Sequence, residues 1–150
     1  MALEDDIRLL SEAPIFCHLE KDALRLLAFA AENMALEERQ ILFSAGDMSD
    51  GGYILRQGRL SIQPKDSTSR TTVGPGALIG RTSLFTRITR TATVKAESPC
   101  SVIRISSNLM KRCLEEYPTG ATVIYNVIAE DLHSLTGKMV LIKDSYLGDI

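Results

Sequence analysis

Between residues 34 and 106 the chain is repeatedly cut by turn signals. Ala45-Gly46-Asp47, Asp50-Gly51-Gly52, Gln57-Gly58-Arg59 and Gly74-Pro75-Gly76 punctuate it, and glycine, proline and aspartate at such intervals separate short strands. Inside the segments, Leu60 and Ile62 alternate with Ser61 and Gln63, Ala92, Val94 and Ala96 alternate with Thr93 and Lys95, and Ile103 and Ile105 flank Arg104. A period of two predicts one buried face per strand. A parallel sheet would need a helical crossover between neighbouring strands. The pattern instead predicts a small antiparallel barrel or double-sheet jelly roll.

Helices are expected on either side. Leu3, Ile7 and Leu10 recur at helical spacing, and after Pro14 the residues Ala23, Leu24, Leu27, Ala28 and Ala31 line one helix face. Beyond the strands, Ser106 or Ser107 can cap a helix that buries Leu109, Met110, Cys113 and Leu114 and is interrupted at Pro118. A longer helix is predicted from Thr119 to about Lys143. Its Ile124, Ile128, Leu132, Leu135, Met139 and Ile142 are spaced 4, 4, 3, 4 and 3, close to a coiled-coil seam. Val123, Val127 and Val140 lie off that seam, so the helix has apolar residues for its own domain and for a second copy, and a homodimer through this helix is expected. The fold class is therefore mainly β with flanking helices: a single domain with a helical lead-in over 1–33, a β-roll over 34–106 and C-terminal helices over 107–150.

With 45% hydrophobic and 24% charged residues and a formal net charge of -2, the chain has the balance of an ordinary globular domain. It carries no global attraction for nucleic acid or anionic membranes. The acidic start MALEDD does not read as a secretory signal, and no apolar run reaches the roughly 18 to 20 residues that span a bilayer. Cys17, Cys100 and Cys113 are too scattered for a disulfide framework or thiolate metal site. A cytoplasmic location is expected.

Against this background the stretch "IGRTSLFTRITRTATV", residues 79–94, stands out: it holds three arginines and a run of threonines and no acidic residue. In order and spacing, "PIFCHLEKDALRLLA", "ILFSAGDMSDGGYILRQGRLSI", "VGPGALIG" and "RTATVKA" resemble the cyclic nucleotide-binding domain of catabolite-activator proteins and protein-kinase regulatory subunits. The resemblance covers nearly the whole chain. It implies a ligand-sensing regulatory domain that takes a cyclic nucleotide or related phosphate-bearing effector and signals through its last helix.

The chemistry of that implication is independent of the name. A cyclic phosphodiester carries one negative charge and two exocyclic oxygens, which a forked cation and backbone N–H groups can hold. Arg90 and the turn Gly80-Arg81-Thr82-Ser83-Leu84 offer both. Gly76 and Gly80 let the backbone approach closely, and Ser83 and Thr91 add hydroxyls at the two ends. In the resembled family the arginine at the position of Arg90 pairs with the phosphate, and a threonine directly after it often accompanies cyclic GMP.

One departure bears on the ligand. The family has Gly-Glu where this chain has Gly80-Arg81, and that glutamate accepts from the ribose 2′-hydroxyl. Arginine has donors only. Either the pocket serves a more anionic ligand, or the domain is a scaffold and dimerisation module with a degenerate site. No cofactor is expected. His18 and His133 are too few and too separated for a metal-dependent jelly-roll enzyme, and no nucleophile–base pair is recognisable, so catalysis is not expected. No helix-turn-helix follows the long helix, so the chain is not expected to read DNA alone. It can still be the sensor half of a transcription regulator.

Overall fold

The computed structural model describes residues 3–137. Helix α1 (Leu3–Glu12) and α2 (Lys21–Ala30) enclose a 3-10 turn at Phe16–His18. Eight strands follow: β1 (Glu32–Leu36), β2 (Ile41–Phe43), β3 (Gly51–Gln57), β4 (Leu60–Pro64), β5 (Thr71–Val73), β6 (Leu78–Ile79), β7 (Ala92–Ala96) and β8 (Cys100–Ser106). A second 3-10 turn, Thr82–Leu84, interrupts them between β6 and β7, and α3 (Ser107–Glu116) and α4 (Pro118–Gly137) close the order.

The strands form two antiparallel four-stranded sheets, ordered β1-β8-β3-β6 and β2-β7-β4-β5. This is the jelly-roll architecture expected from the turn spacing. In the second sheet the alternation translates directly into packing: Leu60 pairs with Ala96 and Ile62 with Val94, and all four side chains are buried in the barrel.

The first sheet departs from the expectation of one buried face per strand. Ile54 and Leu55 are both fully buried, as are Val102 and Ile103. The reason is a second core on the far side of this sheet. Leu55, Val102 and Cys100 point into the barrel interior with Leu60, Ile62 and Val94. Ile54, Ile103 and Ile105 pack instead against Leu10, Phe16, Leu27, Met110 and Ile124 from the helices. A strand covered on both faces loses its polar alternation.

The lead-in is fastened by a buried ion pair as well as by apolar packing. Arg56 on β3 donates from Nε to Asp6 Oδ1 and from Nη2 to Asp6 Oδ2, each at 2.9 Å. Its Nη1 donates to Ser101 Oγ at 2.8 Å, and Nη2 also reaches Asn33 Oδ1. The fork therefore connects α1 with β1, β3 and β8.

At the other end, Ser106 is the N-cap of α3, its hydroxyl oxygen accepting from Leu109 N at 3.1 Å. Met110, Cys113 and Leu114 are buried as the periodicity predicts, and Leu109 is half-buried. Helix α4 begins at Pro118, where a proline costs no hydrogen bond. A Cβ on Gly120 would lie 2.9 Å from Leu19 Cδ2, so the first turn of α4 rests closely on the lead-in. Ile124, the first residue of the predicted seam, is fully buried in the chain's own core, while Val123 and Tyr125 are exposed. The side chains of the remaining seam residues, Ile128 to Ile142, lie outside the described residues.

Candidate functional site

The site is built where β6 runs into the 3-10 turn Thr82–Leu84. Gly80 has φ 82°, a left-handed conformation that glycine adopts without a Cβ clash. The start of β3 lies directly beneath it. A Cβ on Gly52 would lie 3.1 Å from both Gly80 O and Ile79 O, and one on Gly51 only 2.5 Å from Ile105 O. The Asp50-Gly51-Gly52 segment, read from the sequence as a turn, is thus the thin floor that lets the turn approach the sheet.

From this turn the chain passes through Phe85 to Arg87 and returns at Arg90. Its return is stitched to the β2–β3 connection by backbone bonds: Arg90 N donates to Asp47 O at 2.7 Å, Gly46 N to Arg90 O at 2.8 Å and Ser49 N to Ile88 O at 2.9 Å. The fork of Arg90 is consequently held at a fixed place. It is 4% exposed. Nη2 donates to Gly51 O at 2.9 Å and Nη1 to Ser83 Oγ at 3.3 Å. The guanidinium carbon lies 4.0 Å from the Phe43 ring centroid and 5.8 Å from that of Tyr53.

Behind the arginine is a buried hydroxyl pair. Ser83 Oγ accepts from Arg90 and donates to Ser49 Oγ at 2.7 Å. Ser49 Oγ donates to Ile88 O at 2.9 Å and accepts from Ile88 N at 3.2 Å. Each hydroxyl proton has an acceptor, which a buried polar pair requires.

The electrostatics follow from this packing. Burial lowers the pKa of Arg90 below its ordinary value; Tyr53, Asp50 and Asp47 act in the opposite sense, and Arg104 reinforces the lowering. A guanidinium nevertheless remains a cation. Burial also works against Arg104, but its hydrogen bond to Tyr53 and the nearby Asp50 carboxylate prevail and raise its pKa. Arg104 donates to Asp50 Oδ1 at 2.7 Å and lies 3.6 Å from Glu32. Asp50 therefore ties the connection that enters β3 to the central strand β8.

The predicted site residues are distributed unevenly. Ser83 and Arg90 meet in the interior, and Leu84 is 1% exposed and belongs to the helical-side core. Arg81 and Thr82 are half-buried, with Arg81 in helical conformation at the start of the 3-10 turn. Thr91 is exposed, so the hydroxyls of Ser83 and Thr91 are not equivalent. Sequence reasoning missed Phe43, Ser49, Asp50, Gly51, Tyr53 and Arg104. They come from β2, the β2–β3 connection, β3 and β8, distant in sequence from Arg90 or the turn, and only the paired glycines of "SDGG" marked a place of close backbone approach.

A tilted ring contact, Phe85 to Tyr125 at 6.2 Å between centroids, joins this segment to α4. Among the described residues no helix is long and apolar enough to cross a membrane.

The sequence model for the cyclic nucleotide-binding domain matches residues 34–117, more than half of the chain. A cyclic nucleotide-binding-like protein from Brucella abortus is 36% identical, with a TM-score of 0.68 over 74% of this chain and 98% of that one. The N-terminal domain of a transcriptional regulator from Streptomyces coelicolor is 25% identical, with a TM-score of 0.75 over 86% of this chain and 93% of that one. A putative potassium channel protein of Rhodopseudomonas palustris is 22% identical over 122 residues, 80% of this chain and 30% of that protein. The chain spans 30% or less of the length of the first curated relatives it matches. With the family's sequence model matched over residues 34–117 and two antiparallel sheets flanked by helices in place, the chain belongs to the cyclic nucleotide-binding domain family.

Proposed function

We propose that this chain is a regulatory sensor domain that binds a cyclic nucleotide or a related phosphate-bearing effector against the Gly80–Leu84 turn and Arg90, and passes occupancy to α4. The observation that carries the reading is Arg90 itself. Its fork is oriented in advance by Gly51 O, Ser83 Oγ and the Phe43 ring, and a preorganised cation spends little ordering entropy on a phosphate. Arg81 supplies donors where the family's ribose acceptor stands, which favours a ligand richer in negative charge. Thr91 is the exposed hydroxyl offered to it, Ser83 is committed to holding Arg90 and Ser49, and Gly80, Thr82 and Leu84 shape the turn. The Phe85–Tyr125 contact is the physical connection to α4. We further propose a homodimer through that helix, whose Val123 and Tyr125 are exposed. The domain acts by binding, not catalysis. Three free cysteines, two of them buried, fit a reducing cytoplasm.

A second reading rests on the same arginine: at 4% exposure with protein partners already engaged, Arg90 also suits a scaffold whose pocket takes no nucleotide. Thermal unfolding against cyclic AMP, cyclic GMP, cyclic dinucleotides and sulfate separates the two. A ligand at a hundred times its Kd adds about 2.7 kcal/mol to the native state, a shift of several degrees. No shift with any of them supports the scaffold.

A further inference from the structure

Behind the 3-10 turn, on the side facing α3, lies a groove of about 420 Å³ that the nucleotide reading does not use. Its floor is apolar, made of Leu84, Phe85, Leu114 and Tyr125, and its walls carry Arg87 and Lys111. Among the described residues that line it there is no carboxylate. Neither cation is in an ion pair among the described residues. A depression of about 300 Å³ elsewhere, lined by Arg39, Arg70 and Lys95, also holds the carboxylates Glu38 and Glu97, and Arg70 lies 3.8 Å from Glu97.

We infer that this groove is a second ligand site, for a small amphipathic anion: a free carboxylate on an aromatic or acyl body. Its volume is within the range of small-molecule sites, which combine an apolar lining with a few convergent polar groups. Two cations on an uncompensated wall select negative charge, while Phe85 and Tyr125 offer aromatic faces to an apolar body. Thr86, Ser107 and Asn108 complete the rim with neutral hydrogen-bonding groups. A ligand here would touch the turn, α3 and α4 together, and so would bear directly on the Phe85–Tyr125 contact. The site does not depend on whether Arg90 binds a nucleotide.

Naphthoate is a suitable probe, titrated into isotope-labelled protein while the backbone amide shifts are followed. The expected result is a saturable perturbation centred on Leu84 to Arg87 and Ser107 to Lys111. Arg87→Glu with Lys111→Glu should weaken it about tenfold or more, the scale for losing a charge-assisted contact. Asn108→Trp, which fills the groove without altering charge, should also abolish it. Both cations and Asn108 are exposed, and the spectrum itself reports that each variant is folded. The inference is overturned if the shifts centre elsewhere, for example around the exposed Phe29, or if none occur at millimolar probe. It is equally overturned if either variant binds as the wild type does, or if inorganic phosphate alone reproduces the shifts, since a plain anion site needs no apolar floor.

Discussion

The Arg90 guanidinium carbon lies over the Phe43 ring, 4.0 Å from its centroid. This contact joins the end of β2 to the segment that leads into β7, and it is one of the contacts that let a cation sit at 4% exposure. The ring's negative face takes part of the charge, and Gly51 O and Ser83 Oγ take two of its protons. A planar fork can stack and donate at the same time; an ammonium group cannot.

Phe43→Leu should therefore cost more than its change in volume. Hydrophobic swaps of similar size usually cost less than about 1.5 kcal/mol, and loss of a desolvated cation–π contact adds about 1 to 2 kcal/mol. Urea unfolding of Phe43→Leu, Arg90→Met and the double variant forms a cycle that isolates the pair. Additive single effects would mean that the stack contributes nothing.

The Asp6–Arg56 pair gives a second stability prediction. Both side chains are about nine-tenths buried, and Arg56 also depends on Ser101 and Asn33. Asp6→Ala leaves a buried cation without its carboxylate and should destabilise by about 3 to 5 kcal/mol, whereas Asp6→Leu combined with Arg56→Met should recover much of that loss. Equilibrium denaturation measures both. A loss below about 1 kcal/mol in Asp6→Ala would show that α1 is held by apolar packing alone.

The jelly roll was legible because period-two segments such as Ala92 to Ala96 have a single buried face, and the lead-in because Ala23, Leu24, Leu27 and Ala28 recur with helical period. The double burial of β3 and β8 was not. Ile54–Leu55 and Val102–Ile103 read as breaks in alternation until the helices are seen to cover the outer face of that sheet. At the site, Gly80 to Leu84 and Arg90 were visible as a local run of turn, hydroxyl and cationic residues. Phe43, Ser49 and Asp50 were not, because their relation to Arg90 is made by register and backbone stitching across about forty residues of chain. The Asp6–Arg56 fork escaped for the same reason: neither residue has a local signal that it is buried.

Cys113 supplies a pH prediction. Burial, with a smaller contribution from Glu116, raises its thiol pKa from 9.0 to about 11. The unfolded chain then loses this proton at lower pH than the folded one, so between pH 9 and 11 the native state holds more protons and stability falls as pH rises. Wild type should lose up to about 2 kcal/mol relative to Cys113→Ala across that window. Parallel stability profiles for the two proteins would contradict the shift. At pH 8 a thiol reagent should modify exposed Cys17 rapidly in the native protein, and buried Cys100 and Cys113 only on unfolding.

The last prediction concerns Arg81. It stands half-buried at the start of the turn that runs Thr82–Leu84, next to the left-handed Gly80. A carboxylate there would restore an acceptor for a ribose hydroxyl, and a hydrogen bond to a charged group is worth about 1.5 to 3 kcal/mol, one to two decades of affinity. Arg81→Glu should accordingly tighten cyclic AMP or cyclic GMP by about ten- to a hundredfold in calorimetry. Thr91→Ala in that background should lower the preference for cyclic GMP. Arg90 is built into the interior, so its role is better tested with Arg90→Lys, which keeps the charge but loses the fork: binding should fall while the fold is retained. If wild-type protein already binds cyclic AMP tightly and Arg81→Glu leaves the affinity within twofold, Arg81 has no part in ligand choice. If neither protein binds any nucleotide, the buried Arg90 serves the fold alone and the scaffold reading stands.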